Sequence, residues 1–404
     1  MDVNHQHILY LSYDGMTDPL GQSQVLPYLI NLSKRGCKID LISFEKSDRW
    51  DELSKEIDSL CEENNINWLP QTYLKNPPII STFLDIKKMK KEAQRILSVT
   101  PNCIVHARSY IPGLVALGCK KNFGSKFLFD MRGFWADERV DGGIWNLKNP
   151  LYKFIYSWFK KKEIVLLKKS DHIISLTHKA KSEIINKFKL EESKISVIPC
   201  CADLDHFSSE RLEKEKPFLT LPTKNKVVGY LGSIGTWYLL DEMLDYFLVY
   251  LKAEENSTFL FVTKEDPKII TKAAVSKGIQ LDKILIVKAT YAEVPSYLKL
   301  MDFLLCFIKP AYSKMASSPV KQGEAMAMGV PIICNAGVGD SDKLVTEYDS
   351  GILVDALSFE GYTKAIFKLK KWDKSEIRKG AEEYFSLTGG VDSYYNTYLE
   401  LWKK

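Results

Sequence analysis

Short β-prone runs alternate with helical stretches along this chain, and the alternation runs through twice. The first pass holds IDLISF (39–44), CIVHA (103–107), KFLFDM (126–131) and HIISLT (172–177). The second holds KVVGYLGS (226–233), STFLFVT (257–263), ILIVKA (284–289), DFLLCFI (302–308) and PIICNA (331–336). Helical patterns such as SQVLPYLINLSKRG (23–36) and LLDEMLDYFLVYLKA (239–253) lie between them. A strand that returns parallel needs a crossover helix, so this order predicts parallel sheets covered on both faces. The stretch ISVIPCCADLDHFSSERLEKEKPF turns polar and charged beyond residue 203 and reads as a connector. The expected fold is α/β, with two Rossmann-like domains at 1–200 and 201–385 and a closing amphipathic stretch at 386–404. Two such sheets facing each other would bring their carboxyl ends to a central cleft, where ligands of open α/β sheets bind.

The bulk numbers exclude several classes. The 404 residues carry a net charge of +5, too small and too dispersed for nucleic acid. No apolar run reaches the roughly 18 residues of a membrane span. The start, MDVNHQHILYLSY, lacks the basic and apolar regions of a signal peptide. The 8 cysteines form no CxxC pair, so reduced thiols and a cytoplasmic setting are expected, with no zinc site.

One segment concentrates chemistry: AYSKMASSPVKQGEAMAMGVPIICNAG (311–337). Ser317 or Ser318 suits an N-cap, and Pro319 suits the first helical position. Gly329 fits the left-handed residue past the helix end, and Pro331 bars continuation. Ile332, Ile333 and Cys334 then read as an interior strand. Lys321 and Glu324 stand three apart and share a helix face. One reading makes them a surface ion pair worth a few tenths of a kcal/mol. The other puts a diphosphate at the helix start, where free amides and the dipole favour anions, with Glu324 accepting from sugar hydroxyls.

The other strand ends add candidates. The loop after the first strand holds Gly15, Asp18 and Gly21, with a helix expected near Gln22 or Ser23, and it departs from GxGxxG. HARSYIPG places His106, Arg108 and Ser109 at a strand end. DMRGFWADERVDGGIW crowds Asp130, Arg132, Trp135, Asp137, Glu138 and Arg139 into one loop. Arginine suits anions and tryptophan suits sugar faces, so this loop reads as a carbohydrate or phosphate site or else as an internal ion-pair network. YLGSIGTWY places Gly232, Ser233 and Gly235 after a strand, with Thr236 as a candidate cap. The triplets Asp203–Asp205 and Asp340–Asp342 are weak metal signals, because one lies in the connector and the other at a helix start.

With these residues in view, the chain resembles the GT-B-fold glycosyltransferases of family 4, which transfer sugar from a nucleotide-sugar with retention. The likeness rests on SSPVKQGEAMAMGVPII, ISVIPCCADLDHF, YLGSIGT, DGMTDPLGQSQVLPYLINLSKRG and the tail FSLTGGVDSYYNTYLELW. It implies an N-terminal acceptor domain, a C-terminal nucleotide-sugar domain and a final helix packing back on the first. It implies donor contacts from Gly21, Gly232, Ser233, Gly235, Thr236, Lys264, Ser317, Ser318, Pro319, Val320, Lys321 and Glu324. It implies acceptor contacts from His106, Arg108, Ser109, Arg132, Trp135, Asp137 and Glu138, and catalysis by Lys321, Glu324, Arg108 and Arg132. Where many members carry a glutamate eight residues before Glu324, this chain has Ala316, as in a subgroup marked by Ser-Ser-Pro-x-Lys. The family's basic pair after the second domain's first strand is replaced by Ser233, Gly235 and Thr236, leaving Lys264 or Lys321 to supply the charge. The implied partners are a nucleotide-sugar donor and a glycan or lipid-linked acceptor of surface polysaccharide assembly, with neither cofactor nor metal. A non-catalytic sugar-nucleotide-binding subunit and a sugar-nucleotide epimerase are the alternatives.

Residues 144–169, IWNLKNPLYKFIYSWFKKKEIVLLKK, interleave aromatics with lysines. They read either as a core helix with a solvated basic face or as a helix for an anionic membrane surface on the inner face of the plasma membrane.

Overall fold

A computed structural model describes residues 7–77, 79–212 and 225–403. The N-terminal stretch 1–6 and the connector residues 213–218 lie outside the described residues. Contacts divide the chain into one unit of Met1–Pro199 with Leu387–Lys404 and a second of Cys200–Ser386.

The first unit holds strands β1 (His7–Ser12), β2 (Lys38–Glu45), β3 (Ile66–Thr72), β4 (Ile104–Arg108), β5 (Lys126–Asp130), β6 (His172–Ser175) and β7 (Ile195–Val197). They form one sheet in the order β3-β2-β1-β4-β5-β6-β7, with every pairing parallel. The order reverses between β1 and β4, which makes their carboxyl ends the natural ligand crevice of this unit. The second unit holds β8 (Lys226–Leu231), β9 (Ser257–Val262), β10 (Ile284–Val287), β11 (Phe303–Cys306), β12 (Ile332–Asn335) and β13 (Gly351–Val354). Its sheet order is β10-β9-β8-β11-β12-β13, again all parallel, with the reversal between β8 and β11. Both are Rossmann-like α/β sheets. In the second, apolar clusters cover both faces, with Leu260, Leu304 and Ile332 on one side and Phe259, Phe261 and Leu305 on the other. Burial on both faces explains why these strands read as continuous apolar runs.

The helix Leu387–Lys403 belongs to the first unit and packs on the helix Leu26–Lys34. Its Tyr394, Tyr398 and Leu401 are buried there.

Several boundaries differ from the sequence reading. The helix expected over 23–36 is two, Pro19–Gln24 and Leu26–Lys34, broken at Val25 where φ is −127°. Pro27 causes the break, since it cannot donate to the residue four before it. The helix expected to start at Ser317 or Ser318 starts at Val320 with Pro319 as its N-cap, and no side chain caps it. Thr236 caps nothing, because the next helix begins at Leu240 after Leu239. Among the described residues no helix is long and apolar enough to cross a membrane.

Candidate active site

The crevice of the second unit is built from the ends of β8 and β11 and the start of the helix Val320–Ala327. Lys321 is buried, 6% exposed, in that helix's first turn. Its ammonium lies 3.5 Å from the Tyr238 ring centroid and 4.3 Å from that of Tyr230, and donates to the Tyr230 hydroxyl at 3.2 Å. Two ring faces and one hydroxyl replace the carboxylate that a buried ammonium ordinarily finds. Burial pulls the lysine down to about 8, with the nearby Cys306 thiol and Glu324 offsetting part of it. Glu324, one turn along and half-buried, is pushed up to about 7 by burial, against the pull of Lys321. The surface ion-pair reading is therefore corrected. The lysine is inside, and both groups are held near neutral pH, where each can exchange charge with a ligand.

Gly232 faces this lysine. It sits just past β8 with φ at +107°, and a Cβ there would stand 3.3 Å from the Lys321 ammonium. The loop then tightens. Gly235 also holds a positive φ, at 101°, and Tyr238 bridges back to Ile308 beyond β11. The Tyr230 hydroxyl donates to the Ser233 carbonyl, which fixes the ring under the lysine. Ser233, Gly235 and Thr236 stand exposed on this loop. Ser318 is engaged, its hydroxyl accepting from the Cys200 amide at 3.1 Å, so it holds the chain entering this unit. No side chain caps this helix; the Gln322 amide turns back to the Pro319 carbonyl at 3.0 Å, and a helix start of this kind favours an anion. Lys264 is exposed beyond β9 and makes none of these contacts.

Sequence reasoning missed Tyr230, Tyr238 and the second buried lysine, Lys314, whose ammonium lies 3.6 Å from the Trp237 ring centroid. The aromatic YLGSIGTWY run was visible, but which faces it would offer was not.

In the first unit the carboxyl end of β4 meets that of β5. Asp130 is fully buried. Arg108 lies 3.8 Å from it, Arg132 3.8 Å and His106 3.5 Å, and the Tyr394 hydroxyl donates to it at 3.1 Å. Burial alone would raise the Asp130 carboxyl, but Arg132, His106 and Arg108 together hold it below the usual range. Ser109 and Arg132 flank it with φ of +71° and +56°, backbone strain that this packing enforces. His106 is not an acceptor contact here. It is buried, pairs with the Tyr398 hydroxyl at 2.6 Å, and burial lowers its pKa against the pull of Asp130. Its role is to seat the last helix.

Two further expectations are corrected. Gly21 lies inside the helix Pro19–Gln24, and a Cβ there would come within 2.2 Å of the Gly15 carbonyl oxygen. Its small size serves that packing. The amides of Met16 and Thr17 in the preceding loop already donate to the buried Glu45 carboxylate at 2.9 and 3.0 Å, where an anion would otherwise bind. Asp137 also serves the fold. It accepts from the Tyr156 hydroxyl at 2.8 Å and from Lys160 at 2.6 Å, within a network that includes Glu163. The internal ion-pair reading describes that residue. Trp135 packs on Tyr110 and carries Arg139 over its ring, while Glu138 stands half-buried beside them.

The Asp-x-Asp triplets have local partners. Asp203 accepts from the amides of Asp205 and His206, and Asp342 accepts from that of Gly337.

Two successive doubly wound parallel sheets define the GT-B class of glycosyltransferases. Residues 22–206 match the model of Glycosyltransferase Family 4, and residues 225–371 match that of Glycosyl transferases group 1. The chain is a glycosyltransferase of this family 4 and group 1 type. In structure it is similar to sucrose-phosphate synthase from Thermosynechococcus elongatus, with a TM-score of 0.74, 16% identity, and coverage of 99% of this chain and 100% of that one. It is similar to a glycosyltransferase from Rickettsia africae, at 0.70 and 16%, over 99% and 100%. It is also similar to HepE of Anabaena in complex with UDP, at 0.68 and 12%, over 97% and 99%. These likenesses concern the fold. No curated protein matches the chain in sequence.

Proposed function

We propose that this protein transfers a sugar, with retention, from a nucleotide-sugar to a glycan or lipid-linked acceptor in surface polysaccharide assembly. The observation that carries the reading is Lys321, a buried ammonium with aromatic faces and, among the described residues, no carboxylate bond, beside Glu324 on a helix whose start has no side-chain cap. In this reading the lysine and first-turn amides neutralise the leaving diphosphate, and Glu324 accepts from ribose hydroxyls. Ser233, Gly235 and Thr236 border the sugar. The complex of HepE with UDP supports a nucleotide ligand for this chain. Arg108 and Arg132 line the acceptor side, with Ser109, Trp135 and Glu138 near them. Catalysis is electrostatic, and no metal is assigned to it.

A membrane surface accompanies this reading. Helices Ile80–Val99 and Pro150–Lys169 both start at the carboxyl edge of the first sheet. They expose Ile80, Phe83, Leu151 and Phe154 there, beside exposed Lys75, Lys148 and Lys153. Apolar side chains ringed by lysines suit an anionic bilayer, here the inner face of the plasma membrane.

Ala316, where a glutamate is common in the family, favours a second reading, a binding subunit that does not turn over. A thermal-shift screen of UDP-, GDP-, ADP- and CMP-sugars, followed by NMR of the products, tests both. A selective donor that is turned over to free nucleotide and an anomerically retained product supports transfer. Binding without turnover selects the subunit, and a free epimerised sugar nucleotide selects an epimerase.

A further inference from the structure

Arg139 belongs to the segment that reads from sequence as a carbohydrate or phosphate site, and although the family resemblance gives it no role, its surroundings are those of a receptor. It lies in the helix Trp135–Asp141, which follows β5 at the carboxyl edge of the first sheet. Its guanidinium stacks 4.1 Å from the Trp135 ring centroid and 5.7 Å from that of Trp145. Its Nε is buried with no hydrogen-bond partner, and among the described residues nothing forms an ion pair with it. Arg108 and Arg132, on the same edge, face Asp130 instead. Burial pulls the Arg139 guanidinium below its ordinary value, and the adjacent Glu138 offsets only part of this.

Leaving a half-buried cation without a counter-ion is costly, and a bound anion removes that cost. The ring faces hold the planar fork in one orientation, which suits two-point bonding to a phosphate or carboxylate. Tyr13, just past β1, and Tyr73, just past β3, stand on the same carboxyl edge and pack on each other with ring centroids 5.5 Å apart. The Tyr13 hydroxyl donates to Asp85 at 3.0 Å, which ties this aromatic group to the helix whose start exposes Ile80 and Phe83. A fixed cation, several aromatic faces and an apolar rim thus share one edge.

We propose that Arg139 binds a phosphate or diphosphate carried by the acceptor, with Tyr13, Tyr73 and Trp135 flanking the adjoining sugar or chain. This rests on reading the first unit as the acceptor side. The phosphate could belong to a lipid carrier or to a soluble sugar phosphate.

The experiment titrates farnesyl diphosphate, glucose 6-phosphate and neutral farnesol into the full-length protein with Arg139 intact, with Arg139→Gln and with Arg139→Lys. All titrations use a Lys321→Ala background, so that the donor crevice does not take the phosphates. At least one phosphate probe should bind, and Arg139→Gln should weaken it at least tenfold, with Arg139→Lys in between and farnesol insensitive. Loss confined to farnesyl diphosphate assigns a lipid carrier, and loss for glucose 6-phosphate assigns a soluble acceptor. Absence of phosphate binding in the Arg139 protein, or equal affinity in Arg139→Gln with its thermal melt unchanged, overturns the proposal. Nucleotide binding measured with Lys321 intact reports separately on the donor reading. Its absence would fail that reading while leaving the Arg139 result standing.

Discussion

The Lys321 ammonium lies 3.3 Å from where a Cβ on Gly232 would stand, and Gly232 holds a φ that side chains rarely adopt. The residue after β8 and the helix start before β12 thus fit each other only with glycine at that place. Gly232→Ala should strain the backbone by on the order of 1–2 kcal/mol and push the lysine off its rings. Thermal melts and donor kinetics check this, with an expected loss in kcat/KM of about tenfold or more. Wild-type kinetics would remove Gly232 from the donor site.

Lys321 and Glu324 should trade stability for function. Burial lowers Lys321, so the folded state sheds that proton sooner than the unfolded chain, and stability rises with pH from about 8 upward. Burial raises Glu324, so the folded state keeps its proton longer, and stability falls as pH climbs to about 7. Between those two values both penalties are largely present. Lys321→Met and Glu324→Gln should therefore each stabilise the fold there by on the order of 1–2 kcal/mol and raise Tm accordingly, while kcat/KM collapses. At pH 4.5 the gain from Glu324→Gln should vanish. A fall in Tm for both variants at neutral pH would contradict this account.

Asp130 should be among the costliest positions in the first unit. Asp130→Asn removes the buried counter-charge that Arg108 and Arg132 share and leaves Arg108 its 3.4 Å pair with Asp14, for a loss of about 3–5 kcal/mol. Tyr398→Phe removes only the bond to His106 and should cost about 1 kcal/mol. Urea melts rank the two. Hydrogen exchange should show the Tyr398→Phe change concentrated in the helix Leu387–Lys403, and an unaltered helix would separate His106 from its anchoring.

Activity should persist in EDTA, because Asp203 and Asp342 are engaged by nearby amides. Complete inhibition that manganese or magnesium restores would place a metal in the reaction.

Liposome co-sedimentation tests the apolar rim. Phe83→Glu with Phe154→Glu should abolish binding to anionic vesicles at low salt, and Lys148, Lys153 and Lys161 to Glu should weaken it. Lys160 is left out, since it is spent on Asp137 and Glu163. Equal recovery in the pellet with anionic and neutral vesicles, unchanged by these substitutions, would end the membrane assignment.

The strands that escaped the sequence reading share a cause. β3 carries Pro70 and polar residues because it is an edge strand, needing fewer apolar contacts and tolerating a missing donor. β7 has only three residues, and β13 opens on a glycine at the other sheet's edge. The buried central strands stood out because both of their faces are covered.

The sequence by itself determined the double strand-helix alternation, and with it parallel sheets whose strand ends carry the chemistry. Hydropathic period and turn residues are local properties, so they survive without knowledge of the fold. Only the tertiary structure decided which strand-end groups have partners. Lys321 meets Tyr230 across 91 residues, and His106 meets Tyr398 across 292. Those pairings follow from strand order and register, which bring distant side chains together at the carboxyl edge. Burial there then sets which groups are anchored, as with Asp130, and which, among the described residues, are held on ring faces without a counter-ion, as with Arg139.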